Sequence, residues 1–206
     1  PSPKVSQIHF GGGTPTFLTD PQIAKVLDKL KQYFVLDMSG EREFSIEIDP
    51  RTVTTERLDE LKELGFNRLS FGVQDLDPKV QLAVNRIQST DQIIDLVAYA
   101  KTIGMSGVSV DLIYGLPLQT LNGFTQTIKQ IIKTKVDRIS LYSYAHMPSK
   151  FKAQRQIKTD DLPTPADKLA LMAMAIKLLT QADYEYIGMD HFALANDSIV
   201  KAPVSY

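Results

Sequence analysis

Two periodicities alternate along this chain. Short runs in which every second residue is apolar break on glycine or proline, and between them lie stretches whose apolar residues recur every three or four positions. The first kind predicts strands at about 5–10 (Val5, Ile8, Phe10), 43–48, 68–73, 107–113, 138–144 and 184–187. The second predicts helices at about 21–35 (Ile23, Val26, Leu27, Leu30, Phe34), 55–64 (Leu58, Leu61, Leu64), 121–134 and 165–181. Two more run from Asp77-Pro78 towards Arg86 and from Thr90 to Gly104. Asp20-Pro21, Thr54, Asp77-Pro78, Thr90 and Thr164-Pro165 with Asp167 are the start signals, and Gly65 and Gly104 the stops. Residues 149–163 read as irregular.

Strands alternating with helices over most of the length predict βαβ units and a parallel sheet, closed into a barrel or doubly wound. Either way a ligand sits at the carboxyl ends of the strands. Strands covered on both sides usually read as continuous apolar runs, and these do not. Phe44, Ile46 and Ile48 oppose Ser45 and Glu47; Leu69, Phe71 and Val73 oppose Ser70, Gly72 and Gln74. Val108, Val110 and Leu112 oppose Ser109 and Asp111; Ile139 and Leu141 oppose Ser140, Tyr142 and Tyr144. The apolar faces pack on helices. The other faces turn polar towards the strand ends, which predicts an interior holding a polar ligand. The alternative is that these groups satisfy one another, Glu47 with Arg68 and Asp111 with a serine.

The first predicted strand opens into Gly11-Gly12-Gly13-Thr14-Pro15-Thr16. Without side chains at the glycines, backbone N–H and C=O groups can touch a ligand directly, or the loop is simply a tight strand-to-helix turn. The 206 residues suit one domain, and 43% hydrophobic residues suffice for a core. A net charge of −1 does not point to nucleic acid or an anionic membrane. No run is apolar enough to span a bilayer, no signal peptide is evident, and the expected location is the cytoplasm. The chain holds no cysteine, so it builds no disulfide and no thiolate metal site. It opens on Pro1, which suggests a fragment of a longer protein. A sheet lacking its first strand would expose an edge and associate.

Further motifs follow in order: Ser45-Ile-Glu-Ile-Asp-Pro-Arg51, Asn67-Arg-Leu-Ser-Phe-Gly-Val-Gln-Asp75, Ala83-Val-Asn-Arg-Ile-Gln88 and Asp111-Leu-Ile-Tyr-Gly-Leu-Pro117. Tyr144-Ala-His-Met-Pro148, Ala153-Gln-Arg-Gln-Ile157 and Ile187-Gly-Met-Asp-His-Phe192 complete the set. Together with His9-Phe-Gly-Gly-Gly-Thr-Pro-Thr16 they resemble the radical S-adenosylmethionine (SAM) superfamily, and within it the oxygen-independent coproporphyrinogen III oxidases of haem biosynthesis. The resemblance covers nearly the whole chain. It implies an incomplete (β/α) TIM-like barrel of parallel strands, here without its first strand. It also implies a [4Fe–4S] cluster on three cysteines that cleaves SAM to a 5′-deoxyadenosyl radical. The radical abstracts hydrogen from two propionates of coproporphyrinogen III, each of which loses carbon dioxide and becomes a vinyl group. Two SAM molecules and an electron donor are implied as well.

By motif match, Gly12, Gly13 and Thr14 should hold the amino group and carboxylate of SAM. Glu47, Gln74, Arg86 and Asp111 should also meet SAM, a carboxylate suiting ribose hydroxyls or an ammonium and arginine a carboxylate. Ile113 and Ala145 should flank adenine. The departure is the family's Cys-x3-Cys-x2-Cys motif, which has no counterpart here. These residues therefore describe the central part of the barrel, expected to be inert alone, with the cysteine motif upstream and the C-terminal region absent. Plainer roles stand beside these. Arg86 could be a solvated charge or a partner of Asp75, and His9 a core residue. His191 could form a buried pair with Asp190 or touch substrate. Met172 and Met174 pack a helix, and Tyr142 and Tyr144 fill the interior or meet cofactor. Two other functions compete. One is a related haem-binding chaperone, which has Gly-Arg-x-His where this chain has Asn85-Arg-Ile-Gln88. The other is an unrelated barrel hydrolase or lyase using Glu47 and Asp111 as acid and base.

Overall fold

The computed structural model describes residues 3–201. Its strands are β1 (Lys4–Val5), β2 (Gln7–Phe10), β3 (Val35–Leu36), β4 (Glu43–Ile48), β5 (Arg68–Gln74), β6 (Gly107–Tyr114), β7 (Arg138–Ser143), β8 (Tyr184–Gly188) and β9 (His191–Leu194). Its helices are α1 (Asp20–Lys31), α2 (Thr55–Glu63), α3 (Pro78–Ala83), α4 (Thr90–Thr102), α5 (Leu121–Thr134), α6 (Pro165–Gln181) and α7 (Ser198–Lys201). Seven strands hydrogen-bond in the order β2-β4-β5-β6-β7-β9-β8, and β1 pairs with β3. This is the expected α/β architecture. The described residues pack as two compact units, one running to Gly72 and including Ile94–Ser109, the other taking Val73–Ile93 and residues 110–201.

In the first unit β2, β4 and β5 are parallel, with Ile8 opposite Phe44, Phe10 opposite Ile46, and Ile48 opposite Phe71. Phe44, Ile46, Ile48, Leu69 and Phe71 are buried, while Ser45, Glu47 and Ser70 on the opposite face stay half-buried. Ile23 and Leu27 of α1 and Leu58 and Leu61 of α2 supply the helical side of this core. Phe66 closes it, edge-on to Phe10 at 5.2 Å. Asn67 ties three strand starts together from one buried position. Its Oδ1 accepts the Phe44 N–H at 2.8 Å and its Nδ2 donates to the Arg42 carbonyl at 2.7 Å. Its own carbonyl accepts the Ser106 N–H at 2.8 Å. Gly107 leaves open the space that the Arg68 guanidinium fills. From there Arg68 reaches Glu43 at 3.3 Å, so the pairing of Arg68 with Glu47 considered from sequence is not formed.

In the second unit Phe124, Ile128 and Ile131 of α5 and Leu171, Ala175 and Leu179 of α6 bury a common core with Ile139, Leu141, Tyr184 and Phe192. The Tyr184 hydroxyl donates to the Val136 carbonyl at 2.6 Å, and burial raises its pKa. Arg138 makes a forked pair with the buried carboxylate of Asp197, the shortest bond being 2.7 Å.

Five expectations change. The sheet is not wholly parallel, because β9 runs antiparallel to both β7 and β8. A turn as short as Met189-Asp190 cannot make a crossover, so the chain must fold back, and both turn residues are left-handed (φ 48° and 64°). The first helix stops at Lys31, because Val35–Leu36 pairs with Lys4–Val5. Thr19 rather than Asp20 is the residue before α1, its N–H donating to Gln22 Oε1 at 2.9 Å. Ser89 in turn precedes α4, its hydroxyl accepting the Gln92 N–H at 3.4 Å. The third helix ends at Ala83, three residues short of Arg86, and Asn85 is left-handed (φ 53°).

Replacing Asn67 by Leu leaves the Phe44 N–H and Arg42 carbonyl unmet in a dry place. The full-length protein carrying this change is expected to lose about 2–3 kcal/mol in urea denaturation.

Candidate functional site

The glycine loop leaves β2 in a conformation that only glycine adopts at little cost. Gly12 and Gly13 have φ of 83° and 72°, and a Cβ on either would meet only open space. Backbone angle, not crowding, therefore requires glycine there. Gly11 is the converse, since a Cβ would fall 2.5 Å from His9 Nε2 and 2.8 Å from Glu47 Oε1.

Glu47, one residue before the end of β4, organises this loop. Its Oε2 accepts the Gly12 N–H at 3.1 Å, and its Oε1 lies 3.3 Å from His9 Nε2. The other ring nitrogen of His9 lies 2.8 Å from Ser45 Oγ. His9 is therefore not a core histidine but part of the half-open polar face that Ser45 and Glu47 share. Parallel register sets this up, because His9 stands opposite Ser45. Thr14 closes the loop by accepting the Phe17 N–H on its carbonyl at 2.9 Å. The Gly13 N–H and the carbonyls of Gly12 and Gly13 have no partner among the described residues. Backbone donors and acceptors beside a carboxylate are the set that an amino-acid head group needs.

The second unit holds the other proposed residues around a different device. Gln74 ends β5 in a left-handed conformation (φ 68°), and Asp75 follows at 1% exposure. The Asp75 carboxylate accepts from Thr127 Oγ1 at 2.5 Å, Gln119 Nε2 at 2.7 Å and the Asp77 N–H at 2.9 Å. Burial pushes its pKa up, and these donors oppose the shift. Gln119 also donates to the Ile113 carbonyl at 3.0 Å and accepts the Gly115 N–H at 2.6 Å. Gln81 donates to the Asp75 carbonyl at 3.0 Å, and the buried Gln88 donates to the Val73 carbonyl. The turns after β5 and β6 are thus held by one buried network. Asp75 spends its carboxylate there, not on Arg86. Sequence reasoning missed Gln119 and Thr127, whose role depends on helix placement.

Asp111 and Ile113 lie half-buried on β6, on the face opposite Leu112, as the alternation predicts. Arg86 is half-buried just after α3, its N–H bonded to the Gln81 carbonyl at 2.8 Å. Ala145 is exposed beyond the end of β7, with its carbonyl bonded by Gln154 Nε2 at 3.0 Å. Beside it the Tyr144 carbonyl accepts from Lys168 Nζ at 2.5 Å, and its phenol meets His146 Nδ1 at 3.3 Å. Burial raises the pKa of that phenol. Met172 packs its sulfur on the Tyr114 hydroxyl at 3.4 Å. His191 does not form a buried pair with Asp190, which is exposed; its ring meets the Met189 carbonyl and, at 3.5 Å, the Tyr142 hydroxyl.

An iron–sulfur cluster does not fit residues of this chain. There is no cysteine, and no group of three His, Cys, Asp or Glu side chains is placed to hold a metal among the described residues. No helix among the described residues is long and apolar enough to cross a membrane.

Comparison with known proteins matches the radical SAM superfamily model to residues 2–131. The chain is 44% identical over 198 residues to the oxygen-independent coproporphyrinogen III oxidase of Pseudomonas aeruginosa, covering 96% of this chain and 43% of that one. It is 46% identical to the Escherichia coli K12 oxidase over 198 residues, again 96% of this chain and 43% of that one. The solved Escherichia coli coproporphyrinogen III oxidase, described as a radical SAM enzyme, superposes with a TM-score of 0.90 at 46% identity, covering 95% of this chain and 44% of that chain. The chain thus spans less than half the length of these relatives.

Two expectations follow for the full-length protein. Gly11→Ala is expected to cost little in urea denaturation, within about 0.5 kcal/mol, because its methyl meets only the ends of the part-exposed His9 and Glu47 side chains, which can turn aside. Asp75 binds its proton more tightly folded than unfolded, so its deprotonation works against the fold. Stability relative to Asp75→Asn should be highest below its ordinary pKa of 3.8 and fall as pH rises through the raised folded value, read from urea midpoints against pH.

Proposed function

The chain belongs to the radical SAM superfamily, and on that footing we propose that it is the central barrel part of an oxygen-independent coproporphyrinogen III oxidase. That enzyme oxidatively decarboxylates two propionates of coproporphyrinogen III to vinyl groups, giving protoporphyrinogen IX. The observation that carries this reading is the glycine turn after β2, braced by Glu47, in a chain 46% identical to such an oxidase over 96% of its length.

When bound, SAM supplies the hydrogen-abstracting chemistry of the superfamily. Gly12, Gly13 and Thr14 present backbone donors and acceptors to its amino-acid end. Glu47, which already accepts the Gly12 N–H, is proposed to meet the ribose hydroxyls or the amino group of SAM. Gln74, Arg86 and Asp111 are proposed as further SAM contacts, with Ile113 and Ala145 as apolar flanks of adenine. Some of these would serve a second SAM molecule. Asp75, Gln119 and Gln88 hold the turns that carry Gln74 and Ile113 without touching ligand themselves. Cluster ligands would come from outside these 206 residues, which hold no cysteine. An electron donor completes the proposed set of partners, and the cytoplasm is the proposed location.

Superfamily membership sets aside the unrelated acid–base barrel. The chaperone reading fits less well, because Gln88, where that family places histidine, is an internal amide. Its N–H bonds Gln81 Oε1 at 3.1 Å, and it is 8% exposed.

Anaerobic turnover tests the proposal. The full-length protein with its cluster reconstituted, given coproporphyrinogen III, SAM and a reductant, is expected to form protoporphyrinogen IX with methionine and 5′-deoxyadenosine. Haem binding without product would move the assignment to the chaperone.

A further inference from the structure

The chain as a whole is nearly neutral, yet residues 149–158 hold Lys150, Lys152, Arg155 and Lys158 and no acid. This stretch leaves the end of β7 in the second unit, and Lys152–Gln156 coil into a 3₁₀ helix. Side chains three apart in such a helix eclipse one another, about 6 Å apart along its axis, so Lys152 and Arg155 share one face. A different side of the turn is fastened down. Gln154, half-buried, donates from Nε2 to the Ala145 carbonyl at 3.0 Å and accepts the Met147 N–H on Oε1 at 2.5 Å. Ile157 is half-buried after it. Lys152, Arg155 and Lys158 are exposed and pair with no carboxylate among the described residues.

Arg155 is the most specific of these cations. Its Nε donates to the Pro148 carbonyl at 3.2 Å, which fixes the guanidinium on the loop. Its two terminal nitrogens meet no partner among the described residues. A guanidinium tethered at Nε and open at its terminal nitrogens is a preorganised fork for a carboxylate. The neighbouring lysines add charge without that geometry.

Coproporphyrinogen III carries four propionates, ionised at neutral pH, of which only two react. The other two stay anionic through both decarboxylations. A cation that grips one of them therefore holds the substrate through the whole sequence. Gln154 ties this cationic turn to Ala145, a proposed flank of adenine, so the fork stands beside the proposed site. We propose that Arg155, with Lys152 beside it, binds a propionate of the substrate that does not react. The inference rests on the oxidase reading. A contact to a carboxylate that does not change is as strong in the ground state as in the transition state, so it lowers KM without raising kcat.

Steady-state turnover by the full-length, cluster-reconstituted protein tests it, with dithionite as the electron source so that no protein donor is needed. Arg155→Gln is expected to raise the KM for coproporphyrinogen III about tenfold and to leave kcat and SAM affinity within about twofold. Lys152→Gln should raise KM about twofold, and Arg155→Lys should recover part of the loss. Added salt should raise KM more in the unaltered protein than in Arg155→Gln. Lys177→Gln, which removes one positive charge from an exposed position of α6, should leave KM unchanged. An unchanged KM in folded Arg155→Gln overturns the proposal. So does a loss of kcat or SAM affinity as large as the rise in KM, which marks a structural role. A defect confined to assays driven by a protein donor overturns it as well and assigns the surface to that donor. No turnover by the unaltered protein would overturn the oxidase reading itself, and this proposal with it.

Discussion

A backbone amide in a half-open loop must be bonded or wet, and at Gly12 the bond comes from the side chain of Glu47. That contact joins a turn on one strand to a carboxylate on its parallel neighbour. It forms because parallel register puts His9 beside Ser45, and because side-chain alternation puts Glu47 on the same face. The left-handed angles of Gly12 and Gly13 then shape the turn that follows. Ladder, carboxylate and turn each depend on the other two.

The second unit solves the same problem with burial in place of exposure. Gln74 is a non-glycine residue held left-handed, a conformation that costs on the order of 1–2 kcal/mol. What over-determines it is the residue that follows. Asp75 is buried with three donors aimed at its carboxylate, so the turn cannot relax without breaking a dry network. The two devices differ in consequence. A half-open carboxylate such as Glu47 can add a ligand to its partners, whereas the Asp75 carboxylate is fully spent and can only hold shape.

Much of the fold was legible in the chain because β4, β5 and β6 alternate cleanly, although in β7 Ser140 is buried beside Ile139 and Leu141 and the alternation fails. The half-buried faces carrying Glu47, Gln74 and Asp111 lie where period-two reading put them. Caps with local chemistry were legible too. Thr54, Asp77 and Thr164 each accept the backbone N–H that their spacing predicts. Less local features were not. Val35–Leu36 looked helical until Lys4–Val5 offered it a ladder, and β9 could not be told from a loop until β7 and β8 flanked it.

The sequence by itself determined which residues face away from the helices, where the chain must turn, and to which superfamily it belongs. It did so because periodicity, glycine placement and motif order are properties of neighbours along the chain. Only the tertiary structure decided partners. Arg68 took Glu43 rather than Glu47, Asp75 took Thr127 and Gln119 rather than Arg86, and His9 came to rest between Ser45 and Glu47. Hydrogen bonds and ion pairs need contact within about 3 Å, and separations of 25 to 52 residues along the chain carry no such distance until the strands and helices are placed.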